Sequence, residues 1–135
     1  MVMAPRVSSY MSSPVVTIKP VDSLAHARNL MIRHRIGRII VIDEAFKPVG
    51  IITKHDFLKI VVNRRKSSRP LDSIPVEEVM TPNPLVIKPS KTVKAAAEIM
   101  LRRKIGGLPV VEDDKLVGII TRTDLVRAYA DKYKG

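Results

Sequence analysis

Short blocks of branched apolar residues alternate along this chain with longer stretches in which apolar and charged residues recur at helical spacing. Val15 to Ile18 is a β-branched block that reads as a strand, and Pro20-Val21-Asp22-Ser23 supplies a turn with an N-cap candidate. Leu24, Ala27, Leu30 and Met31 then fall on one helical face with Arg28, Arg33 and His34 between them, which predicts an amphipathic helix stopped at Gly37. Ile39-Ile40-Val41-Ile42 and Val49-Gly50-Ile51-Ile52 are too short for helices and read as buried strands joined by a polar turn. A second helix is predicted from Asp56 to Val62.

The same order then returns. Leu85 to Ile87, Val93 to Arg103, Leu108 to Val111, Leu116 to Ile120 and Thr123 to Tyr133 repeat strand, helix, strand, strand and helix. Shifting by 69 positions carries Met11 onto Met80, Ile18-Lys19-Pro20 onto Ile87-Lys88-Pro89, Met31 onto Met100 and Ile36-Gly37 onto Ile105-Gly106. The shift drops to 68 between Asp43-Glu44-Ala45-Phe46-Lys47 and Glu112-Asp113-Asp114-Lys115, where a hairpin turn tolerates a length change, and Gly50 then falls on Gly118 and Asp56 on Asp124. The duplication divides the chain into halves 7–62 and 76–133 with a basic linker, 63–75, between them. A half of this size buries too little surface to stand alone, so the two are expected to share their apolar faces as one module.

Composition narrows the chemistry. Lys and Arg number 24 against 13 Asp and Glu, a net charge of +11 that suits an anionic partner. The absence of Cys removes thiolate ligands and nucleophiles, and His26, His34 and His55 are too scattered to form a metal cluster. Glu77-Glu78 and Asp113-Asp114 read as surface acids without a reacting partner, so no catalytic residue, metal or required cofactor is expected. The basic clusters Arg33-His34-Arg35, Asn63 to Arg69 and Arg102-Arg103-Lys104 raise nucleic acid as a partner, but two Phe and three Tyr offer little base stacking and no recognition motif accompanies them. They read as solvated helix faces. No apolar run reaches the roughly 20 residues of a membrane span, and the N-terminus lacks the apolar stretch of a signal peptide, so a cytoplasmic protein is expected. The lack of Gln and Trp leans towards a thermophilic prokaryote.

The candidate chemistry lies in Gly-x-x-Thr-x-x-Asp, present as Gly50 to Asp56 and again as Gly118 to Asp124. A strand followed by Thr and Asp places a hydroxyl and a carboxylate in the first turn of a helix, beside unpaired backbone N–H groups. The carboxylate can accept from both hydroxyls of a ribose, while the hydroxyl and the helix N-terminus can donate to a phosphate. Thr-x-x-Asp is also a capping-box pattern that stabilises a helix start with no ligand. Repetition of the whole motif weighs towards ligand contact, and both roles can coexist.

Met11 and Met80 at the start of the halves, the Ala-rich helix, Leu-Pro-Val-Val at Leu108 to Val111 and the repeated Gly-Ile-Ile-Thr-x-x-Asp together resemble a tandem CBS domain, or Bateman module, here as a stand-alone pair. The resemblance implies a mixed α/β (α+β) fold of two β-α-β-β-α repeats packed sheet to sheet about a pseudo-two-fold axis, leaving two clefts. It also implies an adenosine ligand, AMP foremost, with ADP, ATP or S-adenosylmethionine as the others, and a regulatory output through conformation or assembly. On that pattern one cleft holds Thr17, Ile18, Ile52, Thr53 and Asp56 with Gly106 and Gly107 opposite. The second holds Val86, Ile87, Ile120, Thr121, Arg122 and Asp124 with Gly37 and Arg38 opposite. The clefts differ, because Arg38 and Arg122 offer guanidinium forks to phosphate where the first has Gly107, and Thr17 offers a hydroxyl where the second has Val86. Ile40 against Pro109 is a further departure between the halves. Met31, Ile32, Met100, Leu101, Leu125 and Tyr129 are candidates for an uncovered apolar face, hence a homodimer with four motifs in a disc, acting on a separate regulated protein. The choice of ligand, the number of clefts filled, the orientation of the dimer and the partner stay open.

Overall fold

The computed structural model describes residues 4–63 and 69–132. Two compact units form, and their limits cut across the duplication. A central unit spans Val16–Pro84, and a flanking unit combines the chain before Val16 with the chain from Leu85 onward. The opening segment of each repeat, carrying Met11 or Met80, is thus built into the unit that contains the other repeat's hairpin.

In the central unit, strand β1 (Thr17–Ile18) runs parallel to β2 (Arg38–Ile42), which pairs antiparallel with β3 (Pro48–Thr53), and β3 pairs with β4 (Thr81–Pro82). Helix α2 (Leu24–His34) covers this sheet because Leu24, Ala27 and Met31, spaced for one face, are all buried with Ile18, Ile39, Val41 and Ile52. Its start is fixed by Ser23, whose Oγ accepts from the His26 N–H at 3.1 Å. Its end corrects the expected stop at Gly37. The helix closes at His34, and Arg35 takes the left-handed conformation (φ 52°) while the Ile36 N–H reaches back to the Met31 carbonyl at 3.1 Å. The chain reverses two residues early so that Arg38 can open β2. A basic residue at the carbonyl end of a helix offsets part of the roughly 1–2 kcal/mol that a left-handed residue costs.

Helix α3 (Lys54–Asn63) begins two residues before Asp56, because Thr53 is its cap. Residues 64–68, the basic middle of the predicted linker, lie outside the described residues. The end of that linker is folded. Leu71–Ser73 forms a 3₁₀ turn, the Ile74 carbonyl accepts from the Leu24 N–H at 2.8 Å, and the Ile74 side chain is buried in the core.

The flanking unit contains α1 (Val7–Tyr10), α4 (Val93–Arg103), β5 (Gly107–Glu112), β6 (Lys115–Thr121) and α5 (Arg122–Lys132). Val7, Ile87, Ala96, Met100, Leu108, Val110 and Ile120 form its core. Thr92 caps α4 as Ser23 caps α2, accepting from the Ala95 N–H at 3.1 Å, and Lys104 repeats the left-handed end (φ 55°). The strand predicted at Leu85 to Ile87 shrinks to one parallel bridge between Ile87 and Val110. Pro109 explains this, since it has no N–H with which to continue the parallel ladder towards Leu85, where Ile40 occupies the equivalent place in the central unit. The slip in the repeat is also visible. Asp113 and Asp114 (φ 52° and 63°) make a two-residue turn between β5 and β6, whereas Asp43–Lys47 forms a longer loop in which Asp43 Oδ1 accepts from the Ala45 and Lys47 N–H groups at 2.8 and 3.0 Å. Tyr133, the predicted end of the last helix, lies outside the described residues.

Candidate functional site

Each Gly-Ile-Ile-Thr segment is the second strand of a hairpin, and its glycine has a steric reason. A Cβ on Gly50 would lie 2.3 Å from Met80 Sδ, and one on Gly118 would lie 2.6 Å from Met11 Sδ. The methionine that opens one repeat crosses the glycine that closes the other. Ile52 and Ile120 then point into the core, fully buried, and the strand ends on a threonine at the surface of its unit.

In the central unit Thr53 and Asp56 form a reciprocal cap. The Thr53 N–H donates to Asp56 Oδ2 at 2.7 Å, the Thr53 hydroxyl donates to the same oxygen at 3.1 Å, and the Asp56 N–H points back to Thr53 Oγ1 at 3.4 Å. The N–H of Lys54 donates to the Gly37 carbonyl at 3.0 Å. The hydroxyl and the first helical amide, both expected to donate to a phosphate, are therefore already engaged within the fold. Asp56 is buried to 4% exposure, yet among the described residues its Oδ1 accepts no hydrogen bond and is not sealed from solvent. That atom is the open acceptor of the central site. The strand register sets Arg38 directly across from Thr53, with one guanidinium nitrogen buried, and places Thr17 and Ile18 beside Ile40 and Val41.

The flanking unit repeats the cap with one difference. Thr121 donates to Asp124 Oδ2 through its N–H at 2.8 Å and through its hydroxyl at 3.0 Å, and the Arg122 N–H donates to the Gly106 carbonyl at 3.1 Å. Gly107 faces Thr121 across the hairpin. Here the other carboxylate oxygen is taken. Arg127 Nη2 donates to Asp124 Oδ1 at 3.1 Å and to the Tyr10 carbonyl at 2.9 Å, with its Cζ 5.9 Å from the centre of the Tyr10 ring. The Tyr10 hydroxyl in turn donates to Asp131 at 2.9 Å, and this bond, with burial and the Asp131 charge, holds the phenol above its usual pKa despite Arg127.

The structure brings each threonine to its aspartate, as the Thr-x-x-Asp pattern predicts. Gly37 and Arg38 lie in the central unit beside Thr53, and Gly106 and Gly107 lie in the flanking unit beside Thr121. Val86 is 42% exposed, whereas Ile18 and Ile87 are buried. Neither Arg127 nor Tyr10 stands out in the sequence; Arg127 lies three residues from Asp124, a spacing that could have raised it, but nothing local ties either to Tyr10. Of the expected apolar face, Ile32, Leu101 and Tyr129 are exposed, but Met31 and Met100 are core residues and Leu125 is half-buried. Val126 and Leu58 are exposed instead. Among the described residues no group of three or more His, Cys, Asp or Glu is placed to hold a metal, and no helix is long and apolar enough to cross a membrane.

The CBS domain family profile matches residues 7–63 and 76–131. The chain is 34% identical to protein MJ1404 of Methanocaldococcus jannaschii over 96% of its own length and 33% of that protein's. It is 36% identical to a 17.7 kDa protein of Acidianus ambivalens, over 96% of this chain and 76% of that one. Against MJ1404 it therefore spans only a third of the relative. Two solved structures superpose closely. CBSX2 in complex with AMP gives a TM-score of 0.83 at 31% identity, covering 95% of this chain and 98% of that one. The CBS domain pair of MJ0100 with 5′-methylthioadenosine and S-adenosyl-L-methionine gives 0.85 at 30% identity, covering 96% and 99%. With two matched repeats and this mixed sheet-and-helix fold, the chain belongs to the CBS domain family as a CBS pair.

Proposed function

We propose that this CBS pair is a regulatory module that binds an adenosine ligand, AMP first, at the Thr-x-x-Asp caps of its repeats. The observation that carries the reading is the buried Asp56, whose Oδ2 completes the helix cap while Oδ1 stays open to accept from a ribose hydroxyl. Two relatives of near-complete coverage bind AMP, and 5′-methylthioadenosine with S-adenosyl-L-methionine, respectively, which supports the adenosyl group as the shared feature. Thr17 and Ile18 on the outer strand β1 supply a strand edge for the base, Ile52 leads the neighbouring hairpin into the cap, and Arg38, across from Thr53, is a candidate for phosphate. In the flanking unit Val86, Ile87, Ile120, Thr121 and Arg122 stand in the matching places beside Asp124. ADP and ATP extend the same chemistry, and S-adenosylmethionine is the second reading, favoured by the MJ0100 likeness. Binding acts by shifting the population of an assembly or a partner complex, not by catalysis. The assembly we infer is a homodimer formed through exposed helix positions such as Ile32, Leu58, Leu101 and Val126, read out by light scattering after gel filtration.

The test is calorimetry with AMP, ADP, ATP and S-adenosylmethionine on the wild type, Asp56→Asn, Asp56→Ala and Asp124→Ala. Asn keeps an oxygen for the Thr53 N–H and turns an NH2 donor to the open side, so the helix survives while the acceptor is lost. Weakened binding in a folded Asp56→Asn supports the reading. Binding of no ligand, or unchanged affinity in every folded variant, leaves these residues as caps alone.

A further inference from the structure

We infer that the two seats are unequal because Arg127 already occupies the ligand-reading oxygen of Asp124, so that the central seat at Asp56 fills first and Arg127 sets the affinity of the flanking one. The inference rests on the adenosine reading above. In both caps Oδ2 accepts from the threonine N–H and hydroxyl, which leaves Oδ1 as the oxygen that a ribose can reach. In the flanking unit that oxygen accepts from Arg127 Nη2 at 3.1 Å, against an Asp124 side chain only 6% exposed. Arg127 is anchored elsewhere too, by the Tyr10 carbonyl and ring, and Tyr10 is held by Asp131.

The repeat shows what the central unit has in their place. Tyr10, Arg127 and Asp131 fall on Val79, Lys59 and Asn63. Valine offers no ring for a cation and asparagine no charge for a partner, and among the described residues Lys59 makes no ion pair with Asp56. Among the described residues the clasp therefore belongs to the flanking unit alone. A ribose approaching Asp124 must share Oδ1 with a guanidinium or displace it, losing a charge-assisted hydrogen bond that the central seat never has to give up. The guanidinium also weakens that carboxylate as an acceptor for neutral hydroxyls.

Calorimetric titration of the full chain with AMP and 2′-deoxy-AMP tests this. The wild type should show one tight and one weak site, and Asp56→Ala should abolish the tight one. Adding Arg127→Met to Asp56→Ala, which keeps the aliphatic stem, should tighten the remaining site about tenfold and make it discriminate AMP from 2′-deoxy-AMP. Asp131→Asn, which removes the charge that faces the Tyr10 hydroxyl without touching Asp124, should change neither affinity. Two equal sites in the wild type overturn the inference. So does a double variant that binds no tighter than Asp56→Ala, or an Asp131→Asn variant that tightens the flanking site as much, since that would assign the effect to packing of the N-terminal segment. Absence of AMP binding in every folded variant is a different failure, that of the adenosine reading itself, and the inference falls with it.

Discussion

Gly50→Ala should destabilise this protein, although replacing a glycine inside a strand ordinarily gains roughly 0.5–1 kcal/mol by restricting the unfolded chain. The new Cβ would stand 2.3 Å from Met80 Sδ, 2.8 Å from its Cγ and 3.2 Å from its Cβ. Carbon contacts prefer about 3.5–4.0 Å, so Met80 must swing away or the pairing of Gly50 with Pro82 must open. A thioether chain has the freedom to swing. Overpacking costs about 1–3 kcal/mol, and with two atoms inside 3.0 Å this site belongs to the upper part, about 2–3 kcal/mol, which leaves a net loss of about 1–2.5 kcal/mol after the ordinary gain. For a chain of this size that corresponds to a fall in Tm of roughly 3–10 °C. In a Met80→Ala background the two tightest atoms are gone, and Gly50→Ala should become nearly neutral. At Gly118 the neighbours include the Ser12 carbonyl at 3.1 Å as well as Met11. That carbonyl accepts from the Ile119 N–H, so Met11→Ala should rescue Gly118→Ala less completely. Thermal melts of the four variants in each cycle decide the matter. A Gly50→Ala protein as stable as the wild type, or one equally damaged in both backgrounds, would refute the close-approach argument.

Two further outcomes are expected. Ser23→Ala and Thr92→Ala each remove the side-chain acceptor of a helix start and should each cost about 1 kcal/mol in chemical denaturation, additively, because the two caps lie in separate units. Tyr10 has its pKa raised, first by its hydrogen bond to Asp131, so between the ordinary value of 10.0 and the raised one the folded chain keeps a proton that the unfolded chain has released. Its contribution to stability is thus complete below pH 10.0 and is lost as the pH climbs through the raised value. Absorbance titration of the phenolates should show the late component move down in Asp131→Asn and vanish in Tyr10→Phe.

The repeat, the two long hairpins and the faces of α2 and α4 were legible because they depend on local pattern. Leu24, Ala27 and Met31 must bury one stripe, and Ser23 can cap only the helix that begins at the next residue. The features that escaped depend on distance along the chain. The crossing of Met11 over Gly118 and of Met80 over Gly50 mixes the two repeats, so a linear division at the linker cannot show that the opening segments are exchanged. Pro109 was visible as a departure, but its effect, reducing a strand to one bridge at Ile87, required knowing which edge its missing N–H would face. Gly37 misled because glycine is the usual left-handed residue, whereas here Arg35 and Lys104 take that role. Within the site, the Thr–Asp pairs were readable from spacing alone. The Arg127 contact to the Tyr10 carbonyl spans 117 residues and was not.

Most of the constraint in Gly-x-x-Thr-x-x-Asp is structural. The glycine makes room for methionine, the second isoleucine fills the core, the threonine caps a helix, and one aspartate oxygen completes that cap. A motif that could be explained entirely by folding would say nothing about a ligand, so the functional claim reduces to the remaining oxygen. At Asp56 that oxygen sits on an otherwise buried residue and is left open within the unit. At Asp124 the fold has supplied a partner of its own. The two copies of the motif thus share one cap, and the difference between Arg127 and Lys59 at matching positions acts on a single oxygen without disturbing it. On the adenosine reading, this separation would let one seat differ from the other in its ligand response while both keep the same cap.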